Sequence, residues 1–76
     1  FYVFSETTLR DGPSASAAAI CNINGSLEYF ITGQNSDGEW IQVEANCDGV
    51  DVIGWVDFEV GAIRNSGDLG IPVTAR

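Results

Sequence analysis

Two tryptophans, Trp40 and Trp55, are the residues of this chain best suited to hold a ligand. An exposed indole offers a flat apolar face and one hydrogen-bond donor, which suits peptides or sugars. A buried one only covers a small core, and both readings stay open for each tryptophan. Phe30 could extend such a surface. Catalysis is harder to build from these residues. The chain has no histidine and no lysine, so a serine nucleophile lacks an ordinary base and acid–base work would fall to carboxylates such as Asp57 and Glu59. Carboxylates just after a strand are commonly solvated, and the expectation is a protein that is not an enzyme.

Cys21 and Cys47 are the only cysteines. With no histidine to help hold a metal, a disulfide between them is the expected reading, two separate buried thiols the alternative. Asp37 with Glu39, or Asn46 with Asp48 and Asp51, could offer loop oxygens to calcium. Neither set completes a calcium loop, and Asx residues in turns serve the backbone, so no metal and no cofactor is expected. Asn24-Gly25-Ser26 satisfies the N-glycosylation pattern at Asn24 and equally reads as a tight hairpin turn.

The ends of the chain carry a different chemistry. Phe1, Tyr2, Val3 and Phe4 form a β-prone run that is apolar on both faces and needs a cover. The cover is either the chain's own tail, through Ile71 and Val73, or a neighbouring copy. In the second case strand addition would join copies head to tail, because a heterologous contact that does not close continues indefinitely.

The 76 residues suffice for one domain with a thin stability margin. Apolar residues make up 45% of the chain, scattered in short groups between Gly, Asn, Asp and Ser, a globular rather than a disordered pattern. No apolar run approaches the roughly 20 residues of a spanning helix, so membrane insertion is not expected. Eleven acidic residues against three arginines give a formal charge of −8. That balance argues against nucleic acid, whose phosphates need clustered Lys or Arg, and against anionic membrane surfaces. The chain begins at Phe1 with no signal-peptide pattern, as a processed mature protein or an excised domain would.

Gly and Asx punctuation cuts the chain into strand-length pieces at 1–9, 18–23, 27–32, 40–44, 52–56 and 62–64. Leu27, Tyr29 and Ile31 alternate with Glu28, Phe30 and Thr32, and Ile41 and Val43 with Gln42 and Glu44, as in half-buried strands. Asn35-Ser36-Asp37-Gly38 reads as a tight connection, and Asp11-Gly12-Pro13-Ser14 as a turn opening a longer loop. The run 15–19 has helix-forming composition but is too short for a helix. Short strands at regular spacing predict a small all-β barrel or sandwich.

The run Thr8-Leu9-Arg10-Asp11-Gly12-Pro13-Ser14 resembles the opening of bacterial SH3-like domains. Ala19-Ile20 with Ile23, Asp37-Gly38-Glu39-Trp40-Ile41-Gln42-Val43 and Gly54-Trp55-Val56 follow in the family's order. The resemblance covers about residues 7–60. It implies a small SH3-like barrel of five to six short antiparallel strands, stapled by the disulfide, over residues 1–60, with 61–76 as an extension or spacer. It also implies that Trp40 opens the third strand, where peptides pack in the wider fold. Ala17 stands where related domains often carry an aromatic residue, which weakens the groove.

Two functions are expected from these features. The first is a non-catalytic extracellular or cell-surface module that binds peptide, cell-wall material or a protein through Trp40, Trp55 and Phe30. The second is a structural subunit of an extracellular assembly or fibre, joined through its termini.

Overall fold

In the computed structural model, which describes residues 1–63 and 73–75, every regular element except one single 3-10 turn is a strand. The strands are β1 (Tyr2–Val3), β2 (Thr7–Arg10), β3 (Ala19–Ile23), β4 (Leu27–Glu28), β5 (Phe30–Asn35), β6 (Trp40–Cys47), β7 (Val50–Asp57), β8 (Gly61–Ala62) and β9 (Val73–Ala75). They build a three-stranded sheet in the order β4-β1-β8 and a six-stranded sheet in the order β3-β2-β7-β6-β5-β9. The all-β class and the disulfide agree with the sequence reading; the barrel is not closed, because the larger sheet runs open from β3 to β9. Among the described residues no helix is long and apolar enough to cross a membrane.

The β6–β7 hairpin is the backbone of the fold. Its eight paired residues run from Trp40↔Asp57 to Cys47↔Val50. Asp48 and Gly49 form the two-residue turn with φ of 54° and 86°, the left-handed pair that matches the twist of the flanking strands. The Asn46 side chain supports it by accepting from the Gly49 amide at 2.9 Å and donating to Asp51 at 3.2 Å. These Asx groups serve the turn.

Strand alternation sorts the hairpin's side chains. Ile41, Val43 and Ala45 on one strand and Val56 on the other point inward and join Phe1, Val3, Leu9 and Ile23 in a single buried cluster. The disulfide closes this core from the side, linking β3 to β6 across a Cα–Cα distance of 6.3 Å. Those two strands are three places apart in the sheet, so the sheet curls until they face each other.

Three expected segments change on folding. The piece 27–32 divides at Tyr29, with β4 in the small sheet and β5 in the large one. Tyr29 makes the corner by exchanging backbone hydrogen bonds with Phe1, at 2.7 and 2.8 Å. Leu27, expected to point inward with Tyr29 and Ile31, is 49% exposed. Asn24-Gly25-Ser26 is therefore a crossover between sheets rather than a hairpin turn. Its positive φ is at Ser26, while Gly25 lets the chain pass Ser5, whose backbone a Cβ would overlap. The piece 1–9 likewise breaks at 4–6 into β1 and β2.

The apolar N-terminal run finds its cover within the chain. β1 lies between β4 and β8, with Val3 opposite Leu27 and Gly61, and Phe1 and Val3 are buried. Tyr2 is half-buried, and Phe4, 57% exposed, meets the Tyr2 ring edge-on at 6.0 Å. The expected cover through the tail is corrected: β4 and β8 supply it, because Val73 lies on the far edge of the other sheet and Ile71 falls outside the described residues. The segment 61–76, expected as a spacer, places β8 beside β1 and β9 beside β5. The β5–β9 pair is parallel, a departure from the expected all-antiparallel arrangement.

Candidate functional site

The open end of the β6–β7 hairpin forms a groove of about 300 Å³ lined by Glu39, Trp40, Asp57, Phe58 and Glu59. Two segments separated by the whole hairpin meet there because Trp40 and Asp57 are register partners. The groove lies at the small end of ligand sites, with room for one side chain or a small head group.

Hydrogen bonds fix each wall. Gly38, at φ 69°, turns the chain into β6. The Trp40 amide then donates to Oδ1 of Asn35 at 3.1 Å and so gives the oxygen of this buried side chain a partner. On the opposite wall Asp57 caps a 3-10 turn, Phe58–Val60, its Oδ1 accepting from the Glu59 amide at 2.9 Å. The Phe58 amide donates to the Glu39 carbonyl at 2.8 Å and so ties the two walls together. The Phe58 ring is 39% exposed and backed by the buried Phe1 ring at 5.9 Å. Trp40 is half-buried, so part of its indole remains available to a ligand.

Of the three aromatic residues expected to form a common surface, only Trp40 lines this groove. Trp55 is 4% exposed, and this burial removes it from the candidate ligand surface. Its register partners, Gln42 on β6 and Arg10 on β2, place it on the sheet face opposite the main core. There the Arg10 guanidinium donates to the Ala17 carbonyl at 2.9 Å and holds the end of the 11–18 loop beside this row. Phe30 is 74% exposed but pairs with Glu44. That position is four residues along β6 from Trp40, roughly 13 Å away at the rise of a strand. Phe30 and Ile53, the latter 53% exposed, flank Glu44 on a separate cross-strand row.

Phe58, Asp57 and Glu59 complete the site in a way the sequence reading did not assemble. In the sequence the two carboxylates read only as acid–base candidates, and no motif marks Phe58 between them as a ligand contact. The available signal was an aromatic residue between two acids immediately after the strand that pairs with Trp40. Asn24 is exposed in its crossover, and its carbonyl accepts from the Tyr29 hydroxyl at 2.9 Å. Burial pushes that phenol above its ordinary pKa. No group of three or more metal-ligating side chains close enough to hold an ion occurs among the described residues, and the groove's carboxylates do not form one.

No family model, curated protein or solved structure matches this chain. The likeness to bacterial SH3-like domains thus rests on the four ordered motifs alone.

Proposed function

We propose that this chain is a non-catalytic binding module of an extracellular or cell-envelope protein, and that it takes a short peptide or cell-wall segment in the Trp40 groove. The single observation carrying this reading is the groove itself: two partly exposed aromatic residues, Trp40 and Phe58, line it on walls held by hydrogen bonds of their backbone amides. Such walls need little reordering on binding, which keeps the entropic cost low. The disulfide supports the compartment, since disulfides in small domains mark oxidising environments outside the cytoplasm.

The test is a nuclear magnetic resonance titration of the full chain with a pool of soluble short peptides and with solubilised cell-wall fragments. Shifts are expected to concentrate at residues 39, 40 and 57–59. Trp40→Ala is expected to weaken binding by at least about tenfold, as loss of a central aromatic anchor does, while Trp40→Phe retains part of it. Shifts that map elsewhere, or a Trp40→Ala chain that binds as the parent does, would refute the reading.

A second reading, a structural subunit, has one feature in its favour. β9 docks on the exposed edge of β5, a position that a strand from another copy could equally fill. Thr74 seats over Gly33, where a Cβ would approach within 2.6 Å, and bonds Gln42 at 3.2 Å. Light scattering over a wide concentration range decides this reading. Open-ended growth that Gly33→Val abolishes would support it, and a monomer at every concentration would sink it.

A further inference from the structure

We infer that the Trp40 groove selects a cationic side chain, a lysine ammonium or an arginine guanidinium carried on an extended peptide. This deepens the binding-module reading and rests on it.

Three of the five lining residues, Glu39, Asp57 and Glu59, are carboxylates, and the other two are aromatic. No lining residue is cationic. Arg10, the one cationic side chain among the described residues, is bonded to Ala17 away from the groove. Of the three lining carboxylates, only Asp57 uses a carboxylate oxygen internally, as the cap of the 3-10 turn; Glu39 and Glu59 are exposed and make no side-chain bond. The groove thus holds unspent negative charge between two aromatic residues that also line it.

That combination matches an organic cation better than a metal. The carboxylates do not form a group tight enough to chelate an ion, and a divalent cation needs several oxygens converging at 2.3–2.6 Å. A lysine or arginine has a long apolar stem that can lie along Trp40 and Phe58 while its head reaches the acids. The indole face adds a cation–π attraction, worth more than a neutral contact of the same area. A chain of net charge −8 also draws a cation toward it from a distance. A neutral or acidic peptide gains none of these terms and must desolvate the same carboxylates.

The experiment uses the full, disulfide-bonded chain labelled with nitrogen-15 and four capped pentapeptides, identical except for a central lysine, arginine, acetyl-lysine or glutamate. The lysine and arginine peptides are expected to shift the Trp40 indole resonance and to bind about fivefold or more tightly than acetyl-lysine, with the glutamate peptide silent. Raising salt from about 50 to about 500 mM should erase most of that preference. Glu39→Gln with Asp57→Asn and Glu59→Gln should reduce lysine binding to the acetyl-lysine level; asparagine keeps the capping oxygen at position 57, and the single Glu59→Gln chain provides a milder check. If acetyl-lysine binds at Trp40 as tightly as lysine, the inference of charge selection fails while the peptide-binding reading stands. If no peptide shifts any groove resonance, the inference fails, and the titration with the peptide pool and the cell-wall fragments decides the binding-module reading by itself.

Discussion

Replacing Cys21 and Cys47 together with alanine is expected to lower the stability of this domain by about 3 to 4 kcal/mol, the chain-entropy value for a loop closed across 26 residues. A domain of this length holds only about 4 to 11 kcal/mol in total, so the change removes a large share of it. The midpoint of thermal unfolding should fall by roughly 15 to 25 °C. Calorimetry on the parent and the double variant, or on the parent with and without reductant, measures it directly. The bond's position explains why the loss should approach the full entropic value. It joins β3 to β6 at the side of an open sheet, where no backbone ladder links those two strands. Without it, curling of the sheet over Leu9, Ile23 and Val43 depends on side-chain packing alone. A loss below about 1 kcal/mol would mean that the reduced, unfolded chain already holds these strands close, since residual structure in that state diminishes the effect of a cross-link.

The same bond shows which parts of the fold were legible in the sequence. Two cysteines in a small chain without histidine are a local compositional fact, and so are period-two alternation at Ile41 and Val43 and the Asx-Gly turns. The division of 27–32 at Tyr29 was not legible. Its alternation is regular, and the break arises only because Phe1 reaches across to pair with Tyr29, a contact spanning 28 residues. Trp55 illustrates the same limit at the candidate site. Its parity relative to Val56 puts it on the outer face, but its burial depends on what the neighbouring strand and the 11–18 loop bring to that face. Trp40 was legible as a candidate because it opens a strand after a turn. Its partners Phe58 and Glu59 were not, because only the hairpin register delivers them to it. Asp48-Gly49 is the converse case, a turn signal of the strongest local kind whose hairpin could have been inferred from the flanking apolar runs.

Gly54→Ala is expected to destabilise the domain by about 1 to 3 kcal/mol, the range for overfilling a packed core. Gly54 faces inward between Val52 and Val56, opposite Val43. A Cβ there would lie 2.5 Å from Cγ of Leu9 and 2.9 Å from the Arg10 carbonyl oxygen. Leu9 cannot swing aside into solvent, since it is fully buried, and the carbonyl belongs to the strand whose pairing with Trp55 holds β2 against β7. Gly12→Ala is the matched control. Gly12 opens the turn read from the sequence, yet its φ is not in the positive range and an added Cβ would meet only Ala17 at an ordinary 3.5 Å. That change should stay within about 0.5 kcal/mol. Urea unfolding of the two variants separates space from backbone freedom, and a third experiment identifies the clashing partner. Leu9→Ala alone should cost about 2 to 5 kcal/mol as a buried cavity. Combined with Gly54→Ala it should cost less than the sum, because the missing leucine atoms are those the new methyl would strike. Strict additivity would assign the penalty to the Arg10 carbonyl instead, and would make the backbone approach of β2, rather than the side-chain packing of Leu9, the reason that position 54 is glycine.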